Sequence, residues 1–128
     1  MELFAKKFKK AFETDRLNNL GVAEFRKGNV SKAISYYKQA LDVMPHNDDA
    51  LINLASCYNK IGQYKDAFKL CLKAIQIDPN RAEGYRTIGD SFYCQSDFHN
   101  VIKWYGEAAN RGDKSTANWL KANEHLFK

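Results

Sequence analysis

The sequence predicts an all-α fold, a solenoid of three stacked helix pairs with one further helix at each end. Three observations carry this. The 128 residues contain only two prolines and seven glycines, which excludes a turn-rich all-β fold. The chain aligns with itself twice at an offset of 34 residues. Within each unit the apolar residues recur at i, i+3, i+4 and i+7, the period of a helix with one buried face.

The composition supports a packed core. Hydrophobic residues make up 45% and charged residues 27%, which excludes a disordered chain, a collagen-like chain and a disulfide scaffold. No stretch approaches the ~20 apolar residues that span a bilayer. Twenty basic residues against fifteen acidic give +5 and a pI near 9.1. The excess is spread along the chain, so nucleic acid is excluded as the main partner. Cys57, Cys71 and Cys94 form no C-x-x-C pair and read as reduced thiols packed as small hydrophobes, which fits a cytoplasmic setting. The N-terminus has no apolar core of a secretory signal.

Residues 1–13 read as an amphipathic helix. Phe4, Phe8 and Phe12 lie four apart on one face, flanked by Leu3 and Ala11, with Lys6, Lys7, Lys9 and Lys10 on the other side. The segment either packs on the first repeat or extends its first helix backward. Alternatively it binds an anionic membrane or an acidic partner helix, or self-associates through its phenylalanines.

Residues 14–47, 48–81 and 82–113 are the three units. Leu17, Leu51 and Tyr85 share one column, and Leu20, Leu54 and Ile88 the next. Gly21, Ala55 and Gly89 form a small-residue column, as do Ala40, Ala74 and Ala108. Ala33, Ala67 and Val101 occupy another, and Tyr37, Cys71 and Tyr105 a bulkier one. Small residues let the two helices of a pair approach closely. Large ones fill the space between pairs, because a single pair cannot bury both of its apolar faces. Gly28 and Gly62 separate the helices of their units, as at a helix C-terminus. Asn29 and Asp97 are N-cap candidates, Asn80 with Glu83 resembles a capping box, and Asp48-Asp49 opens a helix where carboxylates favour the positive dipole end. Pro45 and Pro79 close the first two units, with Asp113 at the close of the third.

This pattern resembles the tetratricopeptide repeat family over residues 14–113. The resemblance implies a right-handed superhelical solenoid whose first helices line a concave face. One departure is Glu24, where Tyr58 and Phe92 place aromatics, with Phe25 beside it in compensation. Val101-Ile102-Lys103-Trp104-Tyr105, Ala108-Ala109, Gly112-Asp113 and Leu120 also resemble a Sel-one-like repeat, whose longer turn would account for Asp113. Residues 114–128 read as a capping helix opened by Ser115, with Ala117, Trp119, Leu120 and Leu126 supplying apolar surface.

Nothing points to catalysis. His46, His99 and His125 lie far apart in sequence, and no nucleophile elbow, phosphate loop or zinc motif occurs. No cofactor or metal is expected. The concave face implied by the resemblance gathers Asn18, Val22, Phe25 and Arg26 from the first unit. It gathers Ile52, Asn53, Ser56, Asn59 and Lys60 from the second, and Arg86, Thr87, Asp90, Tyr93 and Cys94 from the third. Amides, apolar anchors and both charge signs suit a peptide segment. Co-chaperones of the family grip a C-terminal carboxylate with Lys, Asn and Arg. Asn53 matches one of those positions, while Asn18, Val22, Glu83 and Thr87 do not, so no carboxylate clamp is expected. The expected function is a non-catalytic adaptor or chaperone-like module binding a protein or peptide partner. The alternatives are a membrane- or partner-attached spacer and a homodimer, both using the N-terminal helix; the chain is expected to be a monomer or weak homodimer.

Overall fold

The computed structural model describes residues 1–127. Seven α-helices follow one another: α1 Glu2–Arg26, α2 Val30–Val43, α3 Asp48–Lys60, α4 Tyr64–Ile77, α5 Ala82–Cys94, α6 Phe98–Asn110 and α7 Lys114–Ala122. A short 3₁₀ turn, Glu124–Leu126, follows. The described residues contain no strand. Each helix packs on the next, and α3 also touches α1 and α5, so the first helices of the pairs form one row of the solenoid.

The turns alternate between two kinds. Within the pairs, three residues connect the helices, at 27–29, 61–63 and 95–97. Each closes with a bond from the third residue past the helix to the last turn: Asn29 N–H to Glu24 O, Gln63 to Tyr58 and Asp97 to Phe92, at 2.8–3.0 Å. This motif needs a left-handed residue in the middle. Gly28 (φ 85°) and Gly62 (φ 82°) supply it without strain, whereas Ser96 adopts φ 57° with a side chain. Between pairs, four residues connect the helices, and Met44 and Asp78 are extended before their prolines.

The connection from α6 to α7 departs from the expected longer turn. It has three residues and is the within-pair kind, with Gly112 at φ 94° and Asp113 N–H bonded to Ala108 O at 3.1 Å. Asp113 stands in place of a proline because it is the N-cap of α7, accepting from Thr116 N–H at 2.9 Å. Ser115 is therefore not the cap. Asp97 does cap its helix, and so does Asn47, which accepts from Ala50 N–H at 2.9 Å. Asn29 occupies the N-cap position without a capping bond and instead donates to Glu24 Oε2 at 2.8 Å. Asn80 is not a cap either; Arg81 holds that position and ties Asp48, Asp49 and Glu83 together at 2.6–3.1 Å.

Two columns that are separate in the sequence interlock in space. A Cβ on Gly21 would lie 2.4 Å from the Tyr37 ring, and one on Gly89 would lie 2.3 Å from the Tyr105 ring. In the middle unit Ala55 faces the smaller Cys71 in the same cluster. Glycine thus pairs with tyrosine twice and alanine with cysteine once, which keeps the helix spacing regular while the side chains change. Cys57 and Cys71 are buried as expected, and burial pushes their thiols up to about 11 and about 12. Cys94 departs from that expectation: it is exposed, at the end of α5.

At the N-terminal end the segment extends the first helix backward, one of the two expected arrangements, rather than packing on the first repeat. No break separates residues 1–13 from the first unit; α1 runs through Glu13 and Thr14 as one helix. Its partner α2 reaches back only to the level where Thr14 is buried, so everything before Glu13 is exposed. Phe4, Phe8 and Phe12 are 74%, 66% and 67% exposed and do not pack on the first repeat. At the other end α7 stops at Ala122, where Asn123 Nδ2 donates to Trp119 O at 2.7 Å. Thr116 is its buried residue, whereas Ala117 and Leu126 stay exposed. Lys128, the last residue of the expected capping segment, lies outside the described residues.

Candidate peptide-binding groove

The row of first helices brings five of the expected residues together. Val22, Phe25 and Arg26 from α1 and Asn53 and Ser56 from α3 line one open cleft of about 190 Å³. Tyr37 of α2 completes it, a residue that the concave-face assignment missed. Its ring passes the side-chain-free surface of Gly21 and so reaches the cleft from the second helix. Burial raises the Tyr37 hydroxyl to about 12, so it stays a neutral phenol. The cleft combines an apolar wall (Val22, Phe25 and the Tyr37 ring) with an amide, a hydroxyl and a guanidinium. Lys60 stands exposed near the end of α3, in the column of Arg26.

Four other expected groove residues are buried and present no surface: Asn18, Ile52, Asn59 and Thr87 are 7%, 4%, 8% and 3% exposed. Asn18, Asn59 and Thr87 sink between neighbouring units, and Ile52 belongs to a cluster with Leu51, Ala74, Leu41 and Leu70. Asn18 Nδ2 donates to Asn47 Oδ1 at 3.1 Å, leaving Asn18 Oδ1 buried without a partner. Asn59 Nδ2 donates to Thr87 O at 3.1 Å, Ser91 donates to Asn59 Oδ1, and Thr87 Oγ1 donates to Glu83 O at 2.8 Å. These amides set the helix spacing rather than hold a ligand.

The third unit is engaged internally. Arg86 Nη1 donates to Asp113 Oδ1 at 3.0 Å, tying α5 to the start of α7. Tyr105, passing Gly89 as Tyr37 passes Gly21, donates to Asp90 Oδ1 at 2.5 Å. Burial raises the Asp90 carboxyl above its ordinary value, opposed by the Tyr105 bond and the Arg86 charge. Asp113 lies below its ordinary value: burial acts to raise it, but bonds from Thr116 and the neighbouring Arg86 outweigh that. Tyr93 packs edge-on against Phe98 and Trp119 at 5.8 and 6.1 Å. The open cleft therefore lies over the first two units, while in the third Arg86 and Asp90 are bonded internally and Tyr93 stays 48% exposed. A separate apolar depression of about 340 Å³ between α4 and α5 includes Tyr64, Phe68 and Phe92.

His46, His99 and His125 lie on separate elements, and no group of three metal-ligating side chains occurs among the described residues.

The sequence model of the tetratricopeptide repeat family matches residues 24–88. The chain belongs to the tetratricopeptide repeat family. Among similar proteins, this TPR chain is 25% identical over 120 residues to the Hsp70-Hsp90 organizing protein 3 of Arabidopsis thaliana, covering 87% of the chain and 22% of the relative. It is 30% identical over 93 residues to the heat-shock protein cognate co-chaperone sgt12 of Aspergillus fumigatus, covering 73% and 27%. The TPR chain thus spans roughly a quarter of the length of these relatives. The Sgt2 TPR domain from Aspergillus fumigatus superposes with a TM-score of 0.77 at 26% identity, covering 89% of this chain and 78% of that one. The first TPR of Spaghetti (RPAP3), solved bound to an HSP90 peptide SRMEEVD, superposes with a TM-score of 0.77 at 20% identity, covering 89% and 92%. The solenoid is thus a TPR fold. Of the clamp positions, Asn53 lines the TPR cleft, Val22 contributes an apolar wall, Asn18 and Thr87 are buried, and Glu83 pairs with Arg81.

Proposed function

We propose that the chain is a non-catalytic protein–protein interaction module, an adaptor or chaperone-like piece, that holds a peptide segment of a partner in the open half of its groove without a carboxylate clamp. The observation that carries this is the cleft between α1 and α3, where Val22, Phe25 and Tyr37 stand beside Arg26, Asn53 and Ser56. Such a lining anchors apolar side chains while bonding a peptide backbone or an acidic side chain. The co-chaperone relatives and the peptide-bound structure support a protein partner. The two buried thiols support a cytoplasmic setting. No helix among the described residues is long and apolar enough to cross a membrane.

Capture and cross-linking of the partner, followed by calorimetry with the bound segment, tests this reading. Arg26→Ala with Asn53→Ala should weaken binding about tenfold or more, each buried-side polar bond contributing about 1 kcal/mol. Arg86→Ala should act on stability instead, because its guanidinium holds Asp113. Unchanged affinity in the Arg26/Asn53 variant would remove the groove from the account. Attachment through the N-terminal segment is a second reading, favoured by the three bare phenylalanines.

A further inference from the structure

We propose that the Phe4-Phe8-Phe12 row and the groove are one continuous track, and that its occupant is an amphipathic helix of a partner protein with acidic side chains flanking its apolar row. The inference rests on the groove reading above and names the class of partner. Because α1 is a single helix from Glu2 to Arg26, spacings along it translate directly into faces. Phe4, Phe8, Phe12, Asp15, Asn19, Val22 and Arg26 follow one another at intervals of three and four, so they form one stripe. The lower end of that stripe is the wall of the cleft. The upper end projects roughly 16 Å beyond the last covered turn, at 1.5 Å per residue. A rod can lie along both parts.

Charge selects the occupant. Lys6, Lys7, Lys9 and Lys10 against Glu2 make residues 1–12 net +3. Among the described residues no ion pair joins any of these lysines to an acid, and Glu13 is taken by Arg16 at 2.7 Å. Lys7 and Lys9 flank the row, Lys9 within its depression, while Lys6 and Lys10 lie on the opposite side with Leu3 and Val43. A partner helix with Glu or Asp beside its apolar residues supplies the missing charges. A second copy brings the same lysines against these. Three phenylalanines two-thirds exposed cover only about 400 Å² per copy, about 800 Å² for a pair, under the ~1,200 Å² total of a stable interface. A flat bilayer reaches the projecting row but not the recessed cleft.

The test uses the full chain and two synthetic helices of about 20 residues, both with leucines at intervals of three and four, one flanked by glutamates and the other by lysines. The acidic peptide is expected to bind about tenfold or more tighter than the basic one, with affinity falling as salt rises. Phe4→Ala/Phe8→Ala/Phe12→Ala and Arg26→Ala/Asn53→Ala are each expected to weaken it by a similar factor. Circular dichroism should show both variants folded, since the phenylalanines touch nothing in the core. Sensitivity to the cleft pair alone overturns the track and leaves the groove reading standing. Sensitivity to neither pair, or no preference for the acidic peptide, overturns the track, and insensitivity to the cleft pair counts against the groove as well. Co-flotation of the wild type with phosphatidylserine-containing vesicles, or a doubled mass by light scattering, assigns the phenylalanine row to a membrane or to a second copy and also overturns it.

Discussion

The two ends of the array meet the same problem and resolve it differently. At the C-terminal end Trp119 of α7 packs edge-on at 5.3 Å against Tyr105, which is 8% exposed, and at 6.1 Å against Tyr93, which stays half exposed. At the N-terminal end three phenylalanines on α1 are at least two-thirds bare. Both ends are helical and both carry aromatics. The difference is a crossing helix. A three-residue turn with left-handed Gly112 folds α7 back onto α6, with Trp119 reaching Tyr93 of α5, while α2 ends at Val43 and leaves the first turns of α1 exposed. Aromatic content alone therefore does not separate a cap from a docking surface; what lies opposite does.

That contrast can be broken most forcefully at Trp119. Trp119→Ala should lower unfolding free energy by about 3 kcal/mol in a denaturant titration, through the cavity left against Tyr93 and Tyr105. A change under 1 kcal/mol would mean that α7 does not close the array. Gly89→Ala acts on the same end by pushing Tyr105 out of place and should cost about 2 kcal/mol. Its counterpart Gly21→Ala should cost a similar amount. Combining Gly21→Ala with Tyr37→Cys reproduces the Ala55–Cys71 arrangement of the middle unit, so a double-mutant cycle should show the two changes compensating. Strict additivity would refute the interlock. Ser96→Gly relieves a left-handed serine and should stabilise the chain by about 1 kcal/mol, read as a higher melting temperature. Phe8→Ala, at the open end, should change stability by less than about 0.5 kcal/mol.

The closed end also carries a pH signature. Asp90 has its carboxyl raised in the folded chain, so its contribution to stability is present at low pH and is lost as pH rises above the ordinary value of 3.8 through the raised one. Asp113 is lowered, so its contribution is present at neutral pH and is lost as pH falls through its own titration. Carboxyl NMR should show Asp90 titrating at higher pH than Asp113, and the reverse order would contradict the packing described. Asp90→Asn keeps an acceptor for Tyr105 and should remove the Asp90 part of the decline.

The architecture was legible because a repeat states each structural demand three times. The small-residue columns, Gly28 and Gly62, and the prolines after extended residues each mark a helix contact or a turn. The site was legible only as a face. Spacing places Asn18, Ile52, Asn59 and Thr87 on the inner row, but depth depends on how closely neighbouring helices approach, and that distance is set by residues in other units. Tyr37 was missed for the converse reason: it sits on a second helix and enters the cleft only because Gly21 has no side chain. Its signal was present in the pairing of Gly21, Ala55 and Gly89 with Tyr37, Cys71 and Tyr105. The cap of α7 was misplaced at Ser115, the column of Asn47 and Arg81, because the third unit is two residues shorter and the helix begins after Asp113.

Hydrogen–deuterium exchange of the full chain, free and bound to its captured partner segment, tests the open-and-closed account most directly. Slowed exchange confined to α1 and α3, around Val22–Arg26 and Asn53–Lys60, with α6 and α7 unchanged, is the predicted result. Slowing centred on α6 and α7, or on the depression between α4 and α5, would contradict it.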